Sequence, residues 1–293
     1  MPRREGSSVV DLAHNEVHAL PNTVTMQDGL AHCIEKKAHN QQSVGSTGNG
    51  VPLSGLTGFA PQFESQGSRL CWENLCLPVR AGTSSLGCDG ACGYGDLFKQ
   101  GYGLETTALS TALFNNGRTC GACYQIVCYN SKWCLKGAGA IGVTATNFCP
   151  PNYSKPHENW CNPPLKHFDL SQPMFRKIAE YKGGIVPVLY RRVSCVKSGG
   201  VMFEMHGNPY WILVLVYNVG GAGEVIDVKI KGSSTGWIQM SRNWGQNWQT
   251  SAQLLGQSLS FQVTTSDGKM VQFDDVAPPH WQFGDVFEGK QNF

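Results

Sequence analysis

All twelve cysteines of this 293-residue chain stand at or before Cys195, whereas five of its eight tryptophans, Trp211, Trp237, Trp244, Trp248 and Trp281, follow it. A chain of this length holds one large domain or two of about 100 residues, each able to bury a core. The asymmetry favours two: a first module stapled by its cysteines and a second that presents aromatic surface. The cluster Cys120, Cys123, Cys128 and Cys134 reads as a disulfide framework in an oxidising compartment or as a metal site in a reducing one.

A net charge of +2 with 15% charged residues, and no basic stripe on a helical period, excludes the electrostatic footprint of a nucleic-acid binder. Neutral polymers fit better. No apolar run approaches the roughly 20 residues needed to cross a bilayer, so no transmembrane segment is expected. Met1-Pro2-Arg3-Arg4-Glu5 leads into mixed polar sequence, without the apolar stretch of a secretory signal.

Residues 1–65 are rich in Gly, Ser, Asn, Gln and His, with linker-like sequence from Gln41 to Gly55, and are expected to be disordered. From Gly90 onward, short apolar runs alternate with turn clusters and cysteines, the texture of a disulfide-braced β domain. Two helices are expected within it. One runs from Thr106 to Asn116, with Ala108, Leu109, Ala112 and Leu113 on one face and Asn116-Gly117 as its stop. The other runs from Ser171 to Lys182, with a capping serine, Pro173 in the first turn and Gly183-Gly184 after it. Beyond Cys195 the period becomes two: Ile226, Val228 and Ile230 alternate with Asp227, Lys229 and Lys231, and Leu259, Phe261 and Val263 with Ser260, Gln262 and Thr264. This is the pattern of an antiparallel sandwich. The boundary falls near Lys197-Ser198-Gly199-Gly200, a linker too short for wide reorientation.

Cys120-Gly121-Ala122-Cys123 is a possible zinc half-site, but the sequon Asn152-Tyr153-Ser154 and the further cysteines that four-coordinate zinc would leave over favour disulfides. Gly220-Gly221-Ala222-Gly223 lacks the Lys and following helix of a phosphate loop and reads as a tight turn between strands. His167-Phe168-Asp169 has two readings. Beside an aromatic ring, Asp169 could donate a proton or hydrogen bond to a glycosidic oxygen; the plainer reading makes it a helix cap, with His167 packing locally. Glycoside hydrolysis needs a second carboxylate. Asp89, Asp96 and Glu105 lie in the same module without local sequence that marks a base, and the amide of Asn147 cannot deprotonate water at neutral pH. In the second module Tyr210, Trp211, Trp237, Trp244 and Trp248 are candidate sugar platforms, with two or three of the five tryptophans expected in the core.

From Gly90 to Phe293 the chain resembles the plant α-expansins. The matching runs are Gly90–Gly95 (GACGYG), Leu109–Gly117 (LSTALFNNG), Cys120–Tyr124 (CGACY), Val143–Asn152 (VTATNFCPPN), His167–Asp169 (HFD), Arg191–Val193 (RRV), Ser241–Trp248 (SRNWGQNW) and Trp281–Gly284 (WQFG). The resemblance implies a mainly β protein: a six-stranded double-psi β-barrel over residues 90–197, similar to family-45 endoglucanases, then an immunoglobulin-like β-sandwich carbohydrate-binding domain over 201–293. It implies secretion to the plant cell wall as a monomer. It also implies non-hydrolytic loosening at acid pH through disruption of noncovalent contacts between cellulose and matrix glucans of the xyloglucan class, with no cofactor and no metal. By the same resemblance the barrel groove binds polysaccharide through Asp169, His167, Asn147, Thr146 and Tyr94, Asn147 standing where related hydrolases and β-expansins carry another Asp. Tyr210, Trp211 and Trp244 match the cellulose-binding aromatics. The implied disulfides are Cys92–Cys120, Cys123–Cys195, Cys128–Cys134 and Cys149–Cys161.

One departure stands out. Family members carry a Thr-Phe-Tyr-Gly run ahead of the GACGYG segment, supplying the first barrel strand. Here that place is held by Arg69–Pro78 (RLCWENLCLP), and residues 1–89, with Cys33, Cys71, Cys76 and Cys88, have no family match. The barrel is therefore expected to be short of one strand, with an unpaired edge. That leaves two rivals to wall loosening: a cellulose-binding protein with a disabled barrel, and a β-1,4-endoglucanase using Asp169 as acid.

Overall fold

The computed structural model describes residues 23–26, 90–155 and 159–293, with Val24 the one side chain described in the first of these segments. The expected disorder of residues 1–65 and the positions of Cys33, Cys71, Cys76 and Cys88 otherwise lie outside the described residues.

The first module is a closed barrel. Its strands are β1 (Thr23–Met26), β2 (Thr106–Leu109), β3 (Cys123–Cys128), β4 (Ile141–Phe148), β5 (His167–Leu170) and β6 (Ile185–Val193), in the cyclic order β1-β5-β2-β4-β3-β6. The expectation of a missing strand is thus corrected. β1 comes from far upstream, pairing parallel to β5 from Thr23↔His167 to Met26↔Leu170 and antiparallel to β6 from Thr23↔Pro187 to Thr25↔Ile185. Closure removes both edges, and Val24, fully buried, joins Phe168, Leu170 and Val186 in the core. Burying one such side chain is worth about 2 kcal/mol. The β-branched Thr-Val-Thr of TVTM favours a strand, but four residues are too few to mark one when the pairing partners lie in distant sequence.

Both expected helices shrink to single turns. Thr106–Leu109 is strand β2, buried along its whole length between β4 and β5; an apolar run covered on both faces has no period that separates strand from helix. Only Thr111–Phe114 is α-helical, ended by Asn115 and Asn116 in left-handed conformations at φ 50° and 52°. The second helix covers Gln172–Phe175. Its continuation is diverted to another partner, since Leu135 N donates to Ile178 O, Glu180 N donates to Trp133 O and Ala179 bridges Cys134. Ser171 occupies the N-cap position but its hydroxyl donates to Leu104 O, 3.1 Å away.

Four disulfides brace the barrel: Cys92–Cys120, Cys123–Cys195, Cys128–Cys134 and Cys149–Cys161.

The second module is a two-sheet sandwich with every strand pair antiparallel. One sheet orders β10 (Ile238–Gln239), β9 (Val225–Gly232), β13 (Leu259–Thr265) and β14 (Met270–Ala277). The other orders β11 (Ser241–Arg242), β12 (Asn247–Thr250), β8 (Trp211–Tyr217), β7 (Met202–Asn208) and β15 (Val286–Glu288). Phe203 of β7 stacks on Phe261 of β13 with ring centroids 4.4 Å apart, tying the two inner faces together. Val228, Ile230, Leu259, Phe261 and Val263 are buried, but Ile226 is exposed. The register on β13 shifts between Thr264↔Asp227 and Thr265↔Val225, so Ile226 is the extra residue of a bulge and Val225 turns inward in its place. Trp248 and Trp281 are core.

The two modules share a tight joint. Leu215 and Tyr217, on the outer face of β8, belong to the barrel's apolar cluster. Gln246 donates from its backbone N to Cys92 O at 3.0 Å and from Nε2 to Cys120 O at 2.7 Å. A Cβ on Gly121 would collide with Gly223 O, and one on Gly223 with Gly121 O, both glycines having positive φ. The Gly220–Gly223 stretch is therefore more than a turn: it docks the sandwich on the barrel, and Gly221 exchanges backbone hydrogen bonds with Cys195. Among the described residues no helix is long and apolar enough to cross a membrane.

Candidate functional site

A lateral row crosses the barrel wall. Asn147 on β4 is in register with Ala108 on β2, Ala108 with Asp169 on β5, and Asp169 with Thr25 on β1. Residues in register share a face of the sheet. The neighbouring row, Phe168 and Leu109, is fully buried in the barrel core, which sets the Asn147–Ala108–Asp169 row on the outer face. Ala108 between them is itself buried, at 1% exposure. Two strand spacings separate Asn147 from Asp169, about 10 Å.

Asp169 lies inside a strand, two residues before the N-cap position, so it is not the helix cap that its sequence context suggests. Its Oδ1 is 3.3 Å from His167 Nε2; the carboxylate is 14% exposed and the imidazole 1%. His167 therefore holds Asp169 from below and offers a polymer no surface. Its backbone is pinned as well, with its N–H donating to Ser110 Oγ at 3.0 Å and its carbonyl accepting from Ser110 N at 2.9 Å.

Asn147 Oδ1 accepts from Ala91 N and Phe148 N, each at 2.8 Å. Both donors fall on the amide oxygen, which turns Nδ2 away as the side of the amide available to donate. Thr146 is the extra residue of a bulge between Thr107↔Ala145 and Ala108↔Asn147. It is buried, and its carbonyl accepts from Cys92 N. Tyr94, expected in the groove, is 1% exposed. Its ring packs on Tyr102 with centroids 4.6 Å apart, in the joint with the sandwich, and burial pushes its hydroxyl pKa well above the usual tyrosine range. Of the five expected groove residues, Asp169 and Asn147 are partly exposed, while His167, Thr146 and Tyr94 are buried.

Cys149 Sγ, Cys161 Sγ and an Asp169 carboxylate oxygen lie within 4.8 Å of one another. Both sulfurs are spent in the Cys149–Cys161 disulfide, so they cannot serve as thiolate metal ligands. The disulfide instead sets Cys149 and Cys161 against the Asp169 carboxylate.

On the sandwich, Tyr210 is 81% and Trp244 46% exposed. Trp211 is half-buried, with Nε1 donating to Gln249 Oε1 at 3.2 Å. Trp211 begins β8, and Trp244 lies in the turn from β11 to β12. That turn meets the barrel, since a Cβ on Gly93 would stand 3.0 Å from Trp244 Nε1. The polar row and the aromatic positions are therefore linked through Gly93, Ala91 and Asn147. Sequence reasoning missed this link; its signal was the glycine density of GACGYG and of the Gly245 turn, where a Cβ would strike Cys92.

Comparisons with known proteins agree with this architecture. The family model described as Expansin C-terminal domain matches residues 201–278, and a double-psi β-barrel model described as Lytic transglycolase matches residues 106–190. Expansin-A23 of Arabidopsis thaliana is 64% identical over 205 residues, covering 70% of this chain and 74% of the relative. Expansin-A19 of Oryza sativa subsp. japonica is 51% identical over 215 residues, covering 72% and 85%. A solved mutant of Clavibacter michiganensis expansin in complex with cellohexaose shares the fold at 18% identity, with TM-score 0.55 over 72% of this chain and 92% of that one. The identity to plant relatives spans the barrel, the joint and the sandwich together: the chain belongs to the α-expansin family.

Proposed function

We propose that this protein is secreted to the plant cell wall and loosens it as a monomer by separating cellulose from matrix glucans of the xyloglucan class without cleaving them. The observation that carries this reading is the row itself, in which Asp169 faces Asn147 across Ala108. Inverting hydrolysis requires a second carboxylate about 6.5–9.5 Å from the acid. The second position nevertheless holds an amide, which donates a hydrogen bond but cannot activate water. Asp169 would accept from, or donate to, a hydroxyl of a strained glucan in the groove, while Tyr210, Trp211 and Trp244 stack on cellulose. No turnover is required. Tighter binding to a separated or distorted chain than to the packed one shifts the equilibrium toward separation. The cellohexaose held by the Clavibacter relative is a ligand of the matching chemistry.

The test applies the full chain to heat-inactivated plant walls under load at acid pH, with reducing ends assayed in the bathing solution. Extension without release of reducing ends is the expected result. Release that disappears in Asp169→Asn would instead make the protein an endoglucanase.

A further inference from the structure

The described residues between β4 and β5, 149–155 and 159–166, are tied together by their own hydrogen bonds. Asn162, 5% exposed, is their centre: Oδ1 accepts from Asn152 N at 2.7 Å, and Nδ2 donates to Asn152 O at 3.1 Å and Lys155 O at 3.5 Å. Cys161 N donates to Asn159 Oδ1, Leu165 N to Asn162 O and Thr111 N to Cys161 O. At the base, Ser110 Oγ donates to Leu165 O and accepts from His167 N, so the hydroxyl that ends the loop also sets the strand carrying Asp169.

A large aromatic side chain is left in solvent one residue away from the cysteine that lies next to Asp169. Trp160 is 36% exposed and is the immediate neighbour of Cys161, whose Sγ lies within 4.8 Å of an Asp169 carboxylate oxygen. Consecutive Cα atoms are about 3.8 Å apart, so an indole reaching out from residue 160 lies within the span of a polymer that touches Asp169. Cys161 and Asn162, which follow Trp160, are held by the disulfide and by the buried amide, so the backbone beside the indole has already lost conformational freedom that binding would otherwise cost. An indole presents a flat apolar face with a polar edge, the surface on which a sugar ring stacks.

We propose that Trp160 forms an aromatic glucan subsite on the barrel, next to Asp169 and away from the sandwich platform, which clamps the chain on the acid's loop side. The proposal rests on the groove reading above. Its consequence is directional. A neutral β-1,4-glucan would be held by aromatic contacts at Trp244 on one side of the Asn147–Asp169 row and at Trp160 on the other, with the polar row acting on the segment between them.

The test measures the binding of cellohexaose to the full chain by calorimetry, for the wild type and for Trp160→Ala, Trp160→Phe, Trp244→Ala and Asp169→Asn, with a melting temperature for each. Loss of one stacking contact predicts about three- to tenfold weaker binding for Trp160→Ala, restoration of most of it in Trp160→Phe, and unchanged melting in both. Wild-type affinity in Trp160→Ala, alongside weakened Trp244→Ala or Asp169→Asn, overturns the subsite and leaves the groove reading standing. Equal loss in Trp160→Ala and Trp160→Phe with lowered melting assigns the indole to packing and also overturns it. Failure of the wild type to bind, or indifference of binding to all four substitutions, overturns the subsite together with the groove.

Discussion

His167 Nε2 stands 3.3 Å from Asp169 Oδ1, and the imidazole is buried where the carboxylate is partly open. Two positions apart on β5, the residues share one face of the strand, and the covered one fixes the rotamer of the exposed one. Replacing His167 by Ala should leave cellulose adsorption intact, because the aromatic platform is untouched. Wall extension should fall about tenfold, the value of one hydrogen bond to a charged group. Extension assays paired with adsorption isotherms check this; equal losses in both would point to general damage to the fold.

β1 closes the barrel with four residues, and Val24 is its anchor in the core. Val24→Ala should lower the stability of the full chain by about 2 kcal/mol, read as a shift in the denaturant midpoint at constant slope. An unchanged midpoint would mean that the barrel does not depend on this strand.

The joint between the modules relies on glycines at close approach. Gly223→Ala introduces a Cβ against Gly121 O at φ +74°, whereas Gly101, at φ +77°, has nothing within 4 Å of its Cβ direction. Gly101→Ala should therefore cost only the positive-φ penalty of about 1–2 kcal/mol, and Gly223→Ala visibly more. Matched destabilisation of the two variants would show that the contact across the joint carries no strain.

Burial pushes the hydroxyls of Tyr102 and Tyr124 up to about 12 and raises that of Tyr94 well above the usual tyrosine range. Unfolded tyrosines ionise near 10, so the folded state retains protons that the unfolded chain releases. Their stabilising effect is whole below about pH 10 and is lost as the pH rises through about 12. Absorbance titration at 295 nm should show these tyrosines ionising late and together with unfolding. Ionisation near pH 10 in the folded protein would contradict their burial.

Much of this architecture is legible in the sequence, and the parts that are not share a cause. Alternation marks β13 because Leu259, Phe261 and Val263 are buried while Gln262 and Thr264 stay partly open, although Ser260 is buried too. It places Ile226 wrongly, because a bulge changes which residue faces inward without changing the composition. Thr106–Leu109 looks helical because all four residues are buried and no polar face sets a period. Thr23–Met26 gives only a short β-branched signal, and its pairing with β5 and β6 cannot be read locally. At the site, Asn147 and Asp169 share one row of the sheet through Ala108, a placement that neither residue's local sequence gives. Tyr94 is drawn from the groove into the joint by Tyr102, a contact that only the tertiary packing determines.

The most direct measurement is the pair of responses of Asp169→Asn: acid-induced extension of isolated walls and adsorption to cellulose. The predicted result is loss of extension with adsorption retained, because the carboxylate acts in the groove and the aromatics hold the surface. Unchanged extension in that variant would remove Asp169 from the mechanism and contradict the proposed role of the groove.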